Sequence, residues 1–399
     1  MSSKTLAIGL AIAAAAASGC GDQADHGALR DAGEEICLHE LDLLFVIDNS
    51  VSKTLVHDRL SAAIPRFLEG LGNGDYDHDG TVESQAFSDI HVAVTTSDMG
   101  AYADGVPQCS AQGNDGLMLT KSLSGECKGN AYPYQIYVPN DESKPDELIE
   151  HVQCLASVGL QRCPYEQPLA AMYKALAPSS VTAFHGGSGG HGDRENAGFL
   201  RETAVLAVVH VTDEDDCSVA QDGAVLYSVD PTDPRLKSPD SEHAVGVNLR
   251  CALLAKDATL LEPVDHFVAG LKALKPGHPE HIVFGVLSGV PLSADGDTPS
   301  QLLALPESIP VADASNQGEG AGDPLAEDQT TLKTVCSDSQ GEVKGMPAPR
   351  LIAAAQGFGD NGVARSVCAD NFDPALAAVA SRISASLQAC QVPPDAGQP

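Results

Sequence analysis

Tryptophan is missing from these 399 residues, and aromatic residues make up only 4%. The core must therefore be built mainly from aliphatic side chains, which the 43% hydrophobic content can supply for one large domain or two small ones. Basic residues are scarce: 23 Lys and Arg face 55 Asp and Glu, for a formal net charge of −32. That balance excludes a basic surface of the kind that binds nucleic acid or anionic lipid, and it suits divalent cations better. The longest N-terminal apolar stretch, Leu6 to Ala17, is too short to span a bilayer. Cysteines at CxxC spacing are lacking, which argues against a structural zinc site. The Gly-rich stretch His185–Asp193 follows no strand pattern and lacks a GK[ST] ending, so it is not a P-loop; HExxH and kinase-like motifs are missing too. Internal repeats are also lacking.

What is present begins with a leader. Lys4, the apolar stretch, then Ala17-Ser18-Gly19-Cys20 read as a secretory signal peptide over residues 1–19. The pattern resembles a bacterial lipoprotein signal, cleaved before a cysteine that is then lipidated. That resemblance implies a lipid on Cys20, a membrane attachment through it, and a cell-envelope location. Gly21, rather than Asp, after the cysteine leans towards the outer membrane. Residues 20–36 are polar and aperiodic and read as a flexible tether. Of eleven cysteines, ten remain once Cys20 is set aside, an even number in an exported chain, as a disulfide framework requires. Sequence-local pairing predicts Cys109–Cys127, Cys154–Cys163, Cys217–Cys251 and Cys336–Cys368, with Cys37–Cys390 joining the ends of the domain.

The organising stretch is Leu41 to Lys53. A nearly continuous apolar run, Leu43 to Ile47, predicts a strand buried on both faces. It delivers Asp48, Ser50 and Ser52 to the carboxyl end of that strand, where open α/β sheets bind ligands. One carboxylate and two hydroxyls on a tight turn are hard oxygen donors suited to Mg²⁺ or Mn²⁺. The plainer alternative is a cap for the helix that starts near Lys53. The segment resembles the von Willebrand factor A (vWA) family, whose metal-ion-dependent adhesion site carries the same DxSxS element.

Further patterns extend the reading. Leu55 to Leu71 has helical apolar spacing, interrupted by Pro65. Asp75, Asp77, Asp79, Gly80, Thr81 and Glu83 match the first part of an EF-hand-type Ca²⁺ loop, but Ala86 occupies the twelfth position where Glu is expected. The second strand, ending near Thr95, would place Thr96 and Asp98 beside the cage, or close on a simple Ser/Thr or Asx turn. Ala204 to Val211 is the most hydrophobic strand and ends in Thr212-Asp213-Glu214-Asp215-Asp216, four adjacent carboxylates that repel one another unless cations or water solvate them. By the vWA resemblance, Asp213 is the second metal-site aspartate. The family commonly has a metal-site Thr before a helix; here Glu166-Gln167 stands there, either as substitute oxygen donors or with Gln167 as a helix cap. A fourth strand falls at His281–Val290, a short last strand at Ser366–Cys368, and an amphipathic helix at Pro374–Leu387.

Together these predict an α/β fold: a Rossmann-like, doubly wound, mostly parallel sheet with helices on both faces, vWA-like, spanning 37–392. Long disulfide-bonded insertions fall near 101–165 and 292–348, and 393–399 is a tail. The resemblance implies a non-enzymatic binding module whose metal engages a protein or other acidic ligand. Two alternatives stand beside it. One is a structural or interaction lipoprotein with a degenerate site. The other is a metal-assisted hydrolase using Asp48, Asp213 and His57 or His210.

Overall fold

The computed structural model describes residues 39–50, 54–102, 105–106, 109–121, 132–139, 145–159, 163–182, 184, 188–230, 232–237, 245–254, 259–313 and 331–388. The leader, the tether, the tail, Ser52 and Cys20, Cys37, Cys127 and Cys390 lie outside them.

The central sheet contains β1 (Glu40–Ile47), β2 (Asp89–Thr96), β3 (Gln135–Tyr137), β4 (Val205–Val211) and β5 (Ile282–Ser288). Four two-residue strands follow in the second insertion: β6 (Ala312–Asp313), β7 (Thr331–Leu332), β8 (Cys336–Ser337) and β9 (Lys344–Gly345). The sixth strand of the main sheet is β10 (Gly362–Ser366), starting four residues and ending two residues before the predicted Ser366–Cys368. The order across the sheet is β3-β2-β1-β4-β5-β10. All neighbours run parallel except the edge pair β2–β3. The fold is thus α/β with a mostly parallel sheet.

Period-two alternation in β1 sorts its side chains between two helical layers. Leu41, Leu43, Phe45 and Ile47 pack in one core cluster with α1 (Thr54–Asn73), α2 (Pro145–Ala156) and α8 (Asp373–Gln388). Leu44 and Val46 pack in the other with α3 (Pro168–Leu176), α5 (Val264–Leu274) and α7 (Pro349–Gln356). Each such aliphatic side chain contributes roughly 1.5–3 kcal/mol on burial. Two shorter helices, α4 (Val247–Leu254) and α6 (Pro299–Leu303), complete the described helical set. Pro349 starts α7, since proline suits the first helical position.

Pro65 lies inside α1, and the helix runs through it. Proline cannot bond the carbonyl four residues back, that of Ser61. The Gln153 side chain on α2 supplies the missing donor at 2.7 Å. An inter-helix contact therefore replaces the lost intrahelical one.

Disulfides Cys217–Cys251 and Cys336–Cys368 form as expected. Cys109, however, pairs with Cys163, their Cα atoms 4.3 Å apart, so the expected Cys109–Cys127 and Cys154–Cys163 bonds are both replaced. Cys154 is disulfide-bonded too. The reason is spatial. Cys109 and Cys163 belong to a cluster with Tyr165 and Cys217, whereas the α2 residues flanking Cys154, Val152 and Leu155, pack in the core cluster of α1 and α8. The Cys37–Cys390 pair falls outside the described residues. No helix among the described residues is long and apolar enough to cross a membrane.

Candidate functional site

The strand register aligns the carboxyl edge. Ile47 stands opposite Thr96 on β2 and Val211 on β4. The next residues, Ser97, Asp48 and Thr212, therefore form a row, and the order of strands reverses between β1 and β4 at this point. Asp48 is 2% exposed. Its Oδ1 accepts from the Ser50 N–H at 2.8 Å and its Oδ2 from the Thr212 hydroxyl at 2.9 Å. Each carboxylate oxygen thus keeps a lone-pair direction open. The Ser50 hydroxyl and the Asn49 side-chain nitrogen are buried without a hydrogen-bond partner. An orphaned hydroxyl beside a carboxylate fits an oxygen-coordinated divalent ion. The described part of the motif does not cap α1: Asp48 bonds to the turn and to β4. Ser52 lies outside the described residues.

Asp213 is 5% exposed, and its backbone oxygen accepts from the Met346 N–H at 2.7 Å. Two of the carboxylates after it, Asp215 and Asp216, have separate duties, and protein groups relieve their share of the expected repulsion. Asp216 accepts from the Leu169 N–H at the start of α3 (3.0 Å), from the Ser218 hydroxyl (2.6 Å), and from Arg350 Nε and Nη2 (3.1 and 2.9 Å). Asp215 accepts from the Arg350 and Leu351 N–H groups in the first turn of α7, each at 3.1 Å. Helix amino ends and one guanidinium neutralise both carboxylates. Burial still pushes Asp215 up to about 7, against the lowering effect of Arg350. A cavity of about 180 Å³ opens here, lined by Glu166, Glu214, Asp215, Asp216, Leu249 and Met346 among others.

Thr96 is fully buried, and its hydroxyl accepts weakly from the Asp98 N–H at 3.4 Å. Asp98 Oδ1 accepts from the Gly100 N–H at 2.8 Å, and burial raises the Asp98 carboxyl. Gly113, at φ +57°, passes so close that a Cβ would strike the Asp98 carboxylate. Asp98 is therefore the clasp of its own loop. Glu166 is 4% exposed and accepts from the Ser97 hydroxyl, at the aligned row. Gln167 is engaged at both ends: its nitrogen donates to the Gly100 carbonyl (3.0 Å) and to Tyr227 (3.2 Å), and its oxygen accepts from the Val219 N–H (3.2 Å). Its side chain makes no helix cap either. Asp216 and Ser218 cap α3 in its place. From this loop it is Glu166, not Gln167, that brings a carboxylate to the aligned row.

A second acidic constellation lies apart from the strand ends. Asp75, Asp77, Asp79 and Glu83 bring one carboxylate oxygen each to within 4.8 Å of one another. Gly80 takes φ +91°, and its N–H donates to Asp75 Oδ2 at 3.1 Å. The Thr81 N–H donates to Asp79 Oδ1 at 2.7 Å. Asp75 Oδ1 is buried without a partner. Glu83, at the ninth position, accepts from the Tyr76 N–H at 3.2 Å and closes the loop where Ala86 cannot. Its carboxyl is raised by burial and by the charges of Asp77, Asp75 and Asp79. The loop could hold Ca²⁺ through these oxygens.

The histidines of the hydrolase alternative stand elsewhere. His57 Nε2 contacts the Asp48 backbone oxygen at 2.6 Å and ties α1 to the strand end. His210 is wholly buried inside β4 against Phe284. A polar cluster that sequence patterns did not single out surrounds Lys174 on α3. Its ammonium is 0% exposed and bonds Asp115 at 2.5 Å, with Ser188 and Tyr102 as further partners. Tyr102 and Asp115 both adopt positive φ, 46° and 57°. Asp115 neutralises Lys174 directly, so the cluster fastens the 98–116 loops to α3 and offers no free base. No protein-family model matches the chain, and no curated protein matches its sequence.

Proposed function

We propose that this chain is a vWA-type binding module, exported and anchored by a lipid on Cys20, in the outer membrane of a cell envelope. It holds Mg²⁺ or Mn²⁺ between Asp48, Ser50, Ser52 and Asp213 and engages a carboxylate of a protein or other acidic ligand at an open coordination position. One observation carries the reading. The strand order reverses between β1 and β4, where Asp48 lies beside an orphaned Ser50 hydroxyl at the end of β1 and Asp213 follows the aligned end of β4. A crevice outside the carboxyl ends at such a reversal is where open α/β sheets bind ligands. Disulfides within the domain agree with an oxidising compartment. A Rossmann-like vWA architecture is part of the same proposal, as is a Ca²⁺ ion at the Asp75 loop. The role is binding rather than catalysis: His210 is enclosed in the sheet and His57 contacts a backbone carbonyl.

A specific observation favours a second reading, a structural lipoprotein with a degenerate site: the Gln167 carboxamide is committed to backbone groups and Tyr227. Calorimetric titration of the chain from Gly21 onward with Mg²⁺ and Mn²⁺ separates the two. Asp48→Ala and Asp213→Ala should each abolish binding while circular dichroism stays unchanged. Unchanged affinity in both variants, or no binding by the wild type, overturns the metal-site reading.

A further inference from the structure

The turn that enters β5 carries His278-Pro279-Glu280-His281, at the amino ends of the strands and so at the opposite edge from Asp48. The two imidazole rings stack within 4° of parallel, centroids 4.8 Å apart. Glu280 Oε1 lies 3.0 Å from His278 Nδ1 and 3.8 Å from His281 Nε2. One ligand atom from each residue falls within 4.8 Å of the others. The backbone beneath is fixed. The His278 N–H donates to Lys275 O at 3.0 Å, the His281 N–H to His278 O at 3.1 Å, and Asn361 Nδ2 to Glu280 O at 2.7 Å. Pro279 locks its own φ between the two imidazoles.

Protons alone serve this arrangement poorly. Both imidazoles face one carboxylate oxygen, so two good contacts need two N–H donors aimed at the same atom, and charging both rings puts like charges face to face. A divalent cation accepts lone pairs from all three groups at once. With bonds of about 2.0–2.2 Å, a tetrahedral ion sets its ligand atoms roughly 3.3 Å apart. That lies between the two N···O distances found here; because a ring nitrogen binds a metal in its own ring plane, the exposed His278 ring must turn out of its stack on His281 for both nitrogens to aim at one ion. Two imidazole nitrogens and a carboxylate select borderline transition ions over Mg²⁺ or Ca²⁺.

We propose that His278, Glu280 and His281 form a binding site for a first-row transition ion, Zn²⁺, at the amino edge of the sheet, independent of the oxygen-lined sites. Three ligands leave a fourth position open, and the exposure of His278 and Glu280 lets water or a donor from another molecule fill it. The test is a calorimetric Zn²⁺ titration of tag-free protein in excess Mg²⁺ and Ca²⁺, repeated with Cu²⁺ and read by electron paramagnetic resonance for nitrogen couplings. The expected result is a single Zn²⁺ site, kept in Asp48→Ala and Asp75→Asn, with affinity lowered more than about tenfold in His281→Ala and lost in the His278→Ala/His281→Ala double variant. Loss of a ligand should cost at least as much as loss of an outer partner. No Zn²⁺ binding in the wild type, or unchanged binding in the double variant, overturns the proposal. The double variant changes an exposed turn, and circular dichroism checks that it folds.

Discussion

Replacing His210 with Leu tests how a buried, unpaired imidazole sets the acid stability of the domain. His210 is 0% exposed, faces Phe284 at 4.8 Å, and has no hydrogen-bond partner at either ring nitrogen. Burial pushes its pKa from 6.5 down to about 3. The folded value lies below the unfolded one, so in this window the unfolded chain binds a proton that the folded chain refuses. Stability is therefore complete above about pH 6.5 and drains away as pH falls towards 3. Each pKa unit is worth about 1.36 kcal/mol, so the gap amounts to something on the order of 4–5 kcal/mol at its full extent. Independently of pH, an unbonded buried N–H costs about 1–3 kcal/mol. Leucine has similar volume and removes both effects. Chemical denaturation at pH 7.5, 6, 5 and 4, with disulfides intact, measures the difference between variant and wild type, in which other titrating groups cancel. The variant should equal the wild type or exceed it by roughly 1–2 kcal/mol at pH 7.5, and its advantage should widen steadily towards pH 4. A difference that stays constant with pH, or a loss of several kcal/mol at pH 7.5, would refute the reasoning, because His210 would then have a partner that holds its proton.

Asp216→Ala should destabilise the fold by about 3 kcal/mol, because it strands the Arg350 guanidinium and the first turn of α3; adding Arg350→Leu should recover part of that loss in the same denaturation assay. Asp75→Asn should remove Ca²⁺ binding, read by calorimetry, while leaving Mg²⁺ or Mn²⁺ binding at the Asp48 site intact. Peptide mapping of the oxidised protein should recover Cys109 joined to Cys163. Since that bond spans 54 residues, Cys109→Ser/Cys163→Ser should cost about 4 kcal/mol by the chain-entropy relation.

Periodicity and apolar runs determined much of this architecture from the sequence alone. The burial of β1, β4 and β5 follows from their unbroken aliphatic stretches, because a strand covered on both faces has no polar side to show. The residues that end those strands, Asp48 and Asp213, were legible for the same reason. So was the Asp75 loop, whose carboxylates are close in sequence and whose geometry is local. Tertiary structure alone decided what depends on long-range contacts. It sent Cys109 to Cys163 rather than to a sequence neighbour. It assigned Asp215 and Asp216 to two helix amino ends, although in sequence they look equivalent to Asp213. It turned Gln167 from a ligand or cap into a bracket between Gly100 and Val219. It also carried α1 through Pro65 with a donor from Gln153, 92 residues from the Ser61 carbonyl that it bonds. A residue's neighbours along the chain fix its local conformation; which partner satisfies a buried polar group is settled only when distant segments pack and exclude water.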